Sequence, residues 1–161
     1  MKRLLILLIA LAAFPAYAQE AGAILEVGGA GQAGLSGGRA YGPNFGAETT
    51  PIPDILELEA DVTPFFSHGQ SEWDSDLLFK KPFDLSPSLE FMIGLGPEWS
   101  HTVGHGVTTD ALGAAAALDF MLWPWRERRF GFYLEPSYGY SFGKDHDQSV
   151  SVSFGLLIAW P

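Results

Sequence analysis

The sequence contains no cysteine, which excludes disulfides, thiolate catalysis and cysteine-ligated metal sites. Charge is scarce. Only 17% of the 161 residues are Asp, Glu, Lys or Arg, where a soluble domain carries about 25%. Basic residues are scarcest, nine against 19 acidic, for a formal net charge of −10. Lys2 and Arg3 lie in a segment read below as removed, which leaves seven basic residues against 18 or 19 acidic ones, depending on the cut. That balance excludes a nucleic-acid partner, which requires a basic footprint. After the N-terminal segment, no window is apolar enough for a transmembrane helix. What is present instead is glycine (19 residues), aromatic side chains (14%) and a period of two.

The period is cleanest at the end of the chain. Val150, Val152, Phe154, Leu156, Ile158 and Trp160 alternate with Ser151, Ser153, Gly155, Leu157 and Ala159. This predicts a β-strand with one apolar face and one small or polar face. Such a strand must be paired on both edges or it invites aggregation. The same design recurs upstream. Leu56, Leu58, Ala60 and Val62 oppose Glu57, Glu59, Asp61 and Thr63; Trp73, Leu77 and Phe79 oppose Glu72, Asp74 and Asp76. Leu89, Phe91, Ile93 and Leu95 oppose Glu90, Met92, Gly94 and Gly96, and Leu112 to Leu122 alternates with Ala111, Gly113, Ala115, Ala117 and Asp119. Phe130, Phe132, Leu134, Pro136, Tyr138 and Tyr140 oppose Gly131, Tyr133, Glu135, Ser137 and Gly139. The N-terminal part is weaker. Ala23, Leu25 and Val27 predict a short first strand, and the Gly-rich stretch 28–46 reads as a flexible loop.

Residues 1–18 read as a signal peptide, and residues 19–161 as one domain. Lys2-Arg3 supply the positive start, Leu4 to Phe14 the apolar run, and Ala16-Tyr17-Ala18 the cleavage site, with cutting expected after Ala18. The apolar run is shorter than the ~20 residues of a membrane-spanning helix.

Two all-β architectures fit these strands. A soluble, lipocalin-like periplasmic barrel would hide its apolar face around an apolar ligand. A membrane barrel would turn that face to lipid. The non-apolar face decides. In the last four strands it is largely Gly, Ala and Ser with almost no Lys or Arg, a poor solvent surface but suited to a narrow, crowded lumen. Trp73, Trp99, Trp123, Trp125, Tyr138, Tyr140 and Trp160 sit near strand ends, as an interfacial aromatic belt requires. The reading is a single up-and-down, antiparallel outer-membrane β-barrel of eight strands, the eighth placed between Gly38 and Glu48. Counting back from the last strand puts periplasmic turns at 49–54, 80–87 and 123–129. Outer loops fall at 29–43, 67–70, 100–107 and 143–148. Lys80, Lys81, Arg126, Arg128 and Arg129 then lie on the periplasmic side, and only Arg39 and Lys144 on the outer side.

Lys80-Lys81-Pro82-Phe83, Gly96-Pro97-Glu98-Trp99-Ser100-His101-Thr102, Leu118 to Pro124, Arg129 to Pro136 and Gly155-Leu156-Leu157-Ile158 together resemble a family of small, uncharacterised outer-membrane β-barrel proteins of Gram-negative bacteria. The resemblance covers roughly residues 78–161. It implies a fold and a location, the outer membrane, and carries no activity or functional residue. The expected partners are outer-membrane lipids and the barrel-assembly machinery, engaged through the C-terminal strand, whose aromatic end is Trp160. A monomer is expected.

Three constellations bear on chemistry. His68, His101, His105 and His146 all fall in or beside outer loops, with Asp145 and Asp147 flanking His146. Imidazoles at one rim could hold Zn²⁺, Cu²⁺ or Ni²⁺, but no spacing is diagnostic, and tolerated loop residues are the preferred reading. The second is an acidic wall of Glu57, Glu59, Asp61, Glu72, Asp74 and Asp76, with Glu90, Glu98, Asp110, Asp119 and Glu135 beyond. It suits either a narrow cation-preferring pore or a packed lumen of hydrogen-bonded carboxylates, with few basic residues to compensate; a packed lumen is preferred because about eight strands leave just enough room for side chains. The third is Glu98, Ser100 and His101, in the manner of small outer-membrane lipid A deacylases. Ser100 and His101 face opposite sides of one strand, and the expected His-x-Ser order is absent, so a catalytic relay is not expected. No catalytic, cofactor-binding or metal-binding residue is assigned, no cofactor is expected, and the role is read as structural or narrowly porin-like.

Overall fold

A computed structural model describes residues 22–160, His68 and His105 excepted. The signal-peptide reading of residues 1–18 lies outside the described residues. Eight strands follow one another: β1 (Ala23–Gly34), β2 (Arg39–Ile52), β3 (Leu56–Ser67), β4 (Gln70–Ser86), β5 (Leu89–Gly104), β6 (Val107–Leu122), β7 (Phe130–Ser141) and β8 (Gln148–Trp160). Each pairs antiparallel with the next, and β8 returns to β1, so the sheet is a closed barrel. The start of β1, the end of β8 and the β2–β3, β4–β5 and β6–β7 turns meet at one end, here the terminal rim. The other four hairpin connections form the opposite, first rim.

The alternation maps onto the two faces of the wall. Val27, Phe79, Ile93, Leu95, Leu112, Phe132, Val152, Phe154 and Leu156 are exposed on the outside. Glu26, Asn44, Glu48, Glu59, Asp61, Asp74, Lys80, Asp119 and Glu135 are buried inside. This is the reverse of a lipocalin-like arrangement, whose apolar face would point inward.

Several strands are longer than expected. β1 does not stop near Val27 but runs to Gly34, β1 and β2 together occupy most of the predicted 29–43 loop, and the 80–87 turn and 100–107 loop are largely strand. The breakers that suggested loops are real, but a closed sheet absorbs them. Proline lacks a ladder donor, and the ladders are interrupted where prolines fall. The β2–β3 register lapses between Tyr41↔Phe66 and Phe45↔Val62, around Pro43 and Pro64. The β4–β5 register lapses beside Pro97, between Asp76↔Glu98 and Phe79↔Leu95. The β6–β7 register lapses beside Pro136, between Ala117↔Ser137 and Phe120↔Leu134. Pairing resumes in the same register beyond each gap, because the strands stay held by their other neighbours.

Closure rests on an unbroken β1–β8 ladder from Ala23↔Trp160 to Gly34↔Ser149, far more than the short first strand promised. Pairing reaches Trp160, as expected. Gly28 and Gly155 face each other at its centre. A Cβ on Gly28 would lie 2.6 Å from the Tyr133 hydroxyl and 2.8 Å from Gly155 Cα, and one on Gly155 would lie 2.8 Å from Tyr133 Cε1. The seam closes against Tyr133 only because neither residue has a side chain. Gly155→Val is therefore expected to cost ~1–3 kcal/mol or more through overpacking. Urea titration of the refolded barrel would show a lowered midpoint and a smaller compact, heat-modifiable band on gels; an unchanged midpoint would contradict this packing.

Candidate functional site

The interior is built in layers. At the terminal rim one side is apolar: Met92, Met121, Trp123, Tyr133 and Leu157 are buried together, with Ile24 and Ala159 packed against them. These come from β1, β5, β6, β7, β8 and the segment after β6, so the layer fills that side of the bore; on the β2–β4 side a polar hollow of about 740 Å³, lined by Thr50, Glu57, Asp84, Glu90 and Arg128 among others, opens at the same rim. Trp123 Nε1 donates to Glu90 Oε2 at 2.8 Å. Arg128 holds the other Glu90 oxygen at 2.6 Å and donates to the Pro87 carbonyl at 2.9 Å. Trp123, expected in the interfacial belt, is thus only 3% exposed and belongs to the plug; its indole N–H is satisfied by the half-buried Glu90, as a buried indole requires. Trp125, two residues on, is exposed.

Above the plug lies a charged layer centred on Lys80. Its ammonium binds Glu59, Asp119 (3.0 Å) and Glu135 (2.6 Å), contributed by β3, β6 and β7, while Lys80 itself is on β4. Lys80 is the only basic side chain among the described buried residues. Its expected place in a periplasmic turn is therefore wrong, and the acidic wall does have one compensating cation. The error came from treating Lys-Lys-Pro as a turn. The parity of Asp74, Asp76 and Leu78, carried two residues further, already points Lys80 inward and Lys81 outward. Lys81 is exposed, donates to the Asp54 carbonyl and lies 5.6 Å from the Phe83 ring centre.

A neutral network leans on this layer. The Tyr133 hydroxyl donates to Asn44 Oδ1, and Asn44 Nδ2 donates to Thr63 Oγ1 at 2.9 Å and to Asp61 Oδ1 at 3.3 Å. Asn44 lies in the Gly-rich stretch read as loop, so sequence reasoning missed it. Nearer the first rim, Gln32 donates to Asp74 at 3.4 Å. Beyond them opens a polar vestibule of about 580 Å³, with Gln32, Arg39, Glu72, Glu98, Ser100 and Gln148 in its wall.

The other candidate residues do not converge. His101 stacks beside Trp99 and binds Asp110 Oδ1 at 2.7 Å, whereas Ser100 and Glu98 line the vestibule. No Ser-His-Glu relay forms. His146 caps the β7–β8 turn at positive φ, 3.1 Å from the Tyr140 hydroxyl. His68 and His105 lie outside the described residues. Among the described residues, the acidic clusters with ligand-like spacing contain no histidine.

These features define the class: a small, eight-stranded antiparallel β-barrel, apolar outside, with a charged, packed interior and, among the described residues, no evident catalytic or cofactor-binding arrangement. No family model matches the sequence, and no curated protein matches it. Solved structures do. The chain is similar to Neisserial surface protein A (TM-score 0.67, 12% identity, 86% of this chain and 96% of that one). It is similar to Ail, the attachment invasion locus protein of Yersinia pestis, solved with the heparin analogue sucrose octasulfate (TM-score 0.61, 12% identity, 88% and 100%). It is also similar to the N-terminal β-barrel domain of Pseudomonas aeruginosa OprF (TM-score 0.56, 13% identity, 87% and 98%). At these identities the likeness is one of fold.

Removing one partner from a buried ion cluster strands the remaining charges, at about 3–5 kcal/mol. Lys80→Met is expected to lower the unfolding free energy of the refolded barrel by that amount, while Lys81→Met stays within ~0.5 kcal/mol. Tryptophan-monitored urea titrations of both variants check this. Equal effects at the two neighbouring positions would contradict the placement of Lys80.

Proposed function

We propose that this chain is an exported outer-membrane protein of a Gram-negative bacterium, spanning the membrane as a monomeric barrel with a closed lumen, and that its role is structural rather than catalytic. The observation that carries the proposal is the inverted wall: a continuous apolar exterior around an interior of buried carboxylates and one lysine. Hydrocarbon offers no hydrogen bonds, so a spanning sheet must close on itself, and this one does. Strands of 12–17 residues exceed the ~9–11 needed to cross the hydrocarbon core. In this reading the terminal rim is periplasmic, with Arg126, Arg128 and Arg129 beside anionic headgroups, and β8, ending at Trp160, is what the barrel-assembly machinery engages. The fold likeness supports the location, and the quoted motifs support the small family they resemble. Residues 1–18 act as the cleaved signal.

A narrow cation-preferring pore is the second reading, favoured by the acidic interior and the vestibule. The packed middle of the bore opposes it, because Lys80 and its partners Glu59, Asp119 and Glu135 meet there across four strands and are all buried.

Fractionation of expressing cells and planar-bilayer recording test both. The protein is expected in the outer-membrane fraction, to require detergent for refolding, and to give no conductance steps. Solubility without detergent would overturn the membrane assignment. Regular cation-selective steps would overturn the closed lumen.

A further inference from the structure

Lys80 uses one oxygen of Glu59 and one of Asp119. Their second oxygens, Glu59 Oε1 and Asp119 Oδ1, are buried without a hydrogen-bond partner. So are Glu26 Oε1 and both oxygens of Glu48. One carboxylate oxygen from each of Glu26, Glu48, Glu59 and Asp119 lies within 4.8 Å of the other three. Four strands, β1, β2, β3 and β6, thus bring four carboxylates to one point.

Glu48 is the decisive member. It is 2% exposed, makes no ion pair with Lys80, and neither of its oxygens meets a donor. A buried carboxylate left this way costs several kcal/mol. Lys80 already serves three carboxylates, and no other basic side chain is buried among the described residues. Neither Glu26 nor Glu48 forms an ion pair with the Lys80 ammonium.

We propose that Glu26, Glu48, Glu59 and Asp119 bind one hard divalent cation of the calcium class. The donors are carboxylate oxygens alone, which select hard cations over zinc or copper. Calcium holds its oxygens at about 2.3–2.6 Å, so ligands across the ion stand up to about 5 Å apart, whereas magnesium at about 2.1 Å demands a tighter set near 4.2 Å. The donors stand no more than 4.8 Å apart, within the span calcium allows, and magnesium, which sheds its water reluctantly, is rarely held by a dry all-protein cage.

The cation has a route in. Glu72 and Glu98 stand in the vestibule wall. Asp74 and Asp76 follow Glu72 down the inner face of β4, and oxygens of Asp76, Asp61 and Glu59 lie within 4.8 Å of one another. This ladder of carboxylates descends from the first rim to the site. The ion enters from that rim and is held, not passed through. The inference rests on the closed interior but not on the membrane location, and conductance is read separately from binding, so either can fail alone.

The test is calorimetry on the refolded, chelator-stripped barrel with CaCl₂ and MgCl₂. One saturable Ca²⁺ per chain is expected, with weaker Mg²⁺ binding. Glu48→Gln is expected to lower Ca²⁺ affinity at least ~10-fold while keeping compact gel migration, and Glu26→Gln serves if that variant does not refold. The Glu72→Gln, Glu98→Gln double variant should leave the affinity in place. No saturable heat would overturn the proposal and leave shared protons as the neutralising charge. Wild-type binding by Glu48→Gln or Glu26→Gln, or binding abolished only by the vestibule variant, would also overturn it.

Discussion

The interior of this barrel depends on one ammonium group. Lys80 is 1% exposed and draws together carboxylates from three other strands. An isolated buried charge costs several kcal/mol, and so does each carboxylate around it. The arrangement survives because every strand that carries one of these charges is fixed by two neighbours. Charge and closure depend on each other. The barrel positions carboxylates that water would otherwise separate, and Lys80 lets them remain side by side in a bore too narrow to hydrate them freely.

The apolar plug beneath and the vestibule above give the interior a direction. Water reaches Glu72 and Glu98 from the first rim, whereas Trp123, pinned by Glu90 and thereby linked to Arg128, packs the β5–β8 side of the terminal rim. A polar column packed at its middle by Lys80 and its carboxylates suits a binding or structural role better than conduction. Small residues at the wall allow this density. Gly28 and Gly155 bring the closing strands against Tyr133, whose hydroxyl anchors Asn44 and, through it, Asp61.

Much of this was legible in the sequence. Period-two alternation identified β3 to β8 and assigned their faces, because each strand has one apolar side whichever way the barrel is turned. Residues 28–46 were not legible. Glycines and Pro43 are local loop signals, and only pairing on both edges, a long-range property, overrides them. Lys80 was hidden for a related reason. Beside Lys81 and Pro82 it resembles a turn, and burying a lysine makes sense only once Glu59, Asp119 and Glu135 are known to surround it. Trp123 was misplaced because a tryptophan near a strand end fits either a belt or a stopper; its partner Glu90, 33 residues earlier, decides. The histidines and the Glu98, Ser100, His101 cluster were easy to see and, where described, assemble no site.

The most direct measurement exploits two adjacent lysines on opposite faces of β4. The refolded barrel would be treated with a water-soluble amine acylating reagent and the peptides read by mass spectrometry. Lys81 and Lys144, both exposed, should react, while Lys80 should stay unmodified until the barrel is unfolded. Acylation of Lys80 at the rate of Lys81 in the folded protein would contradict the account.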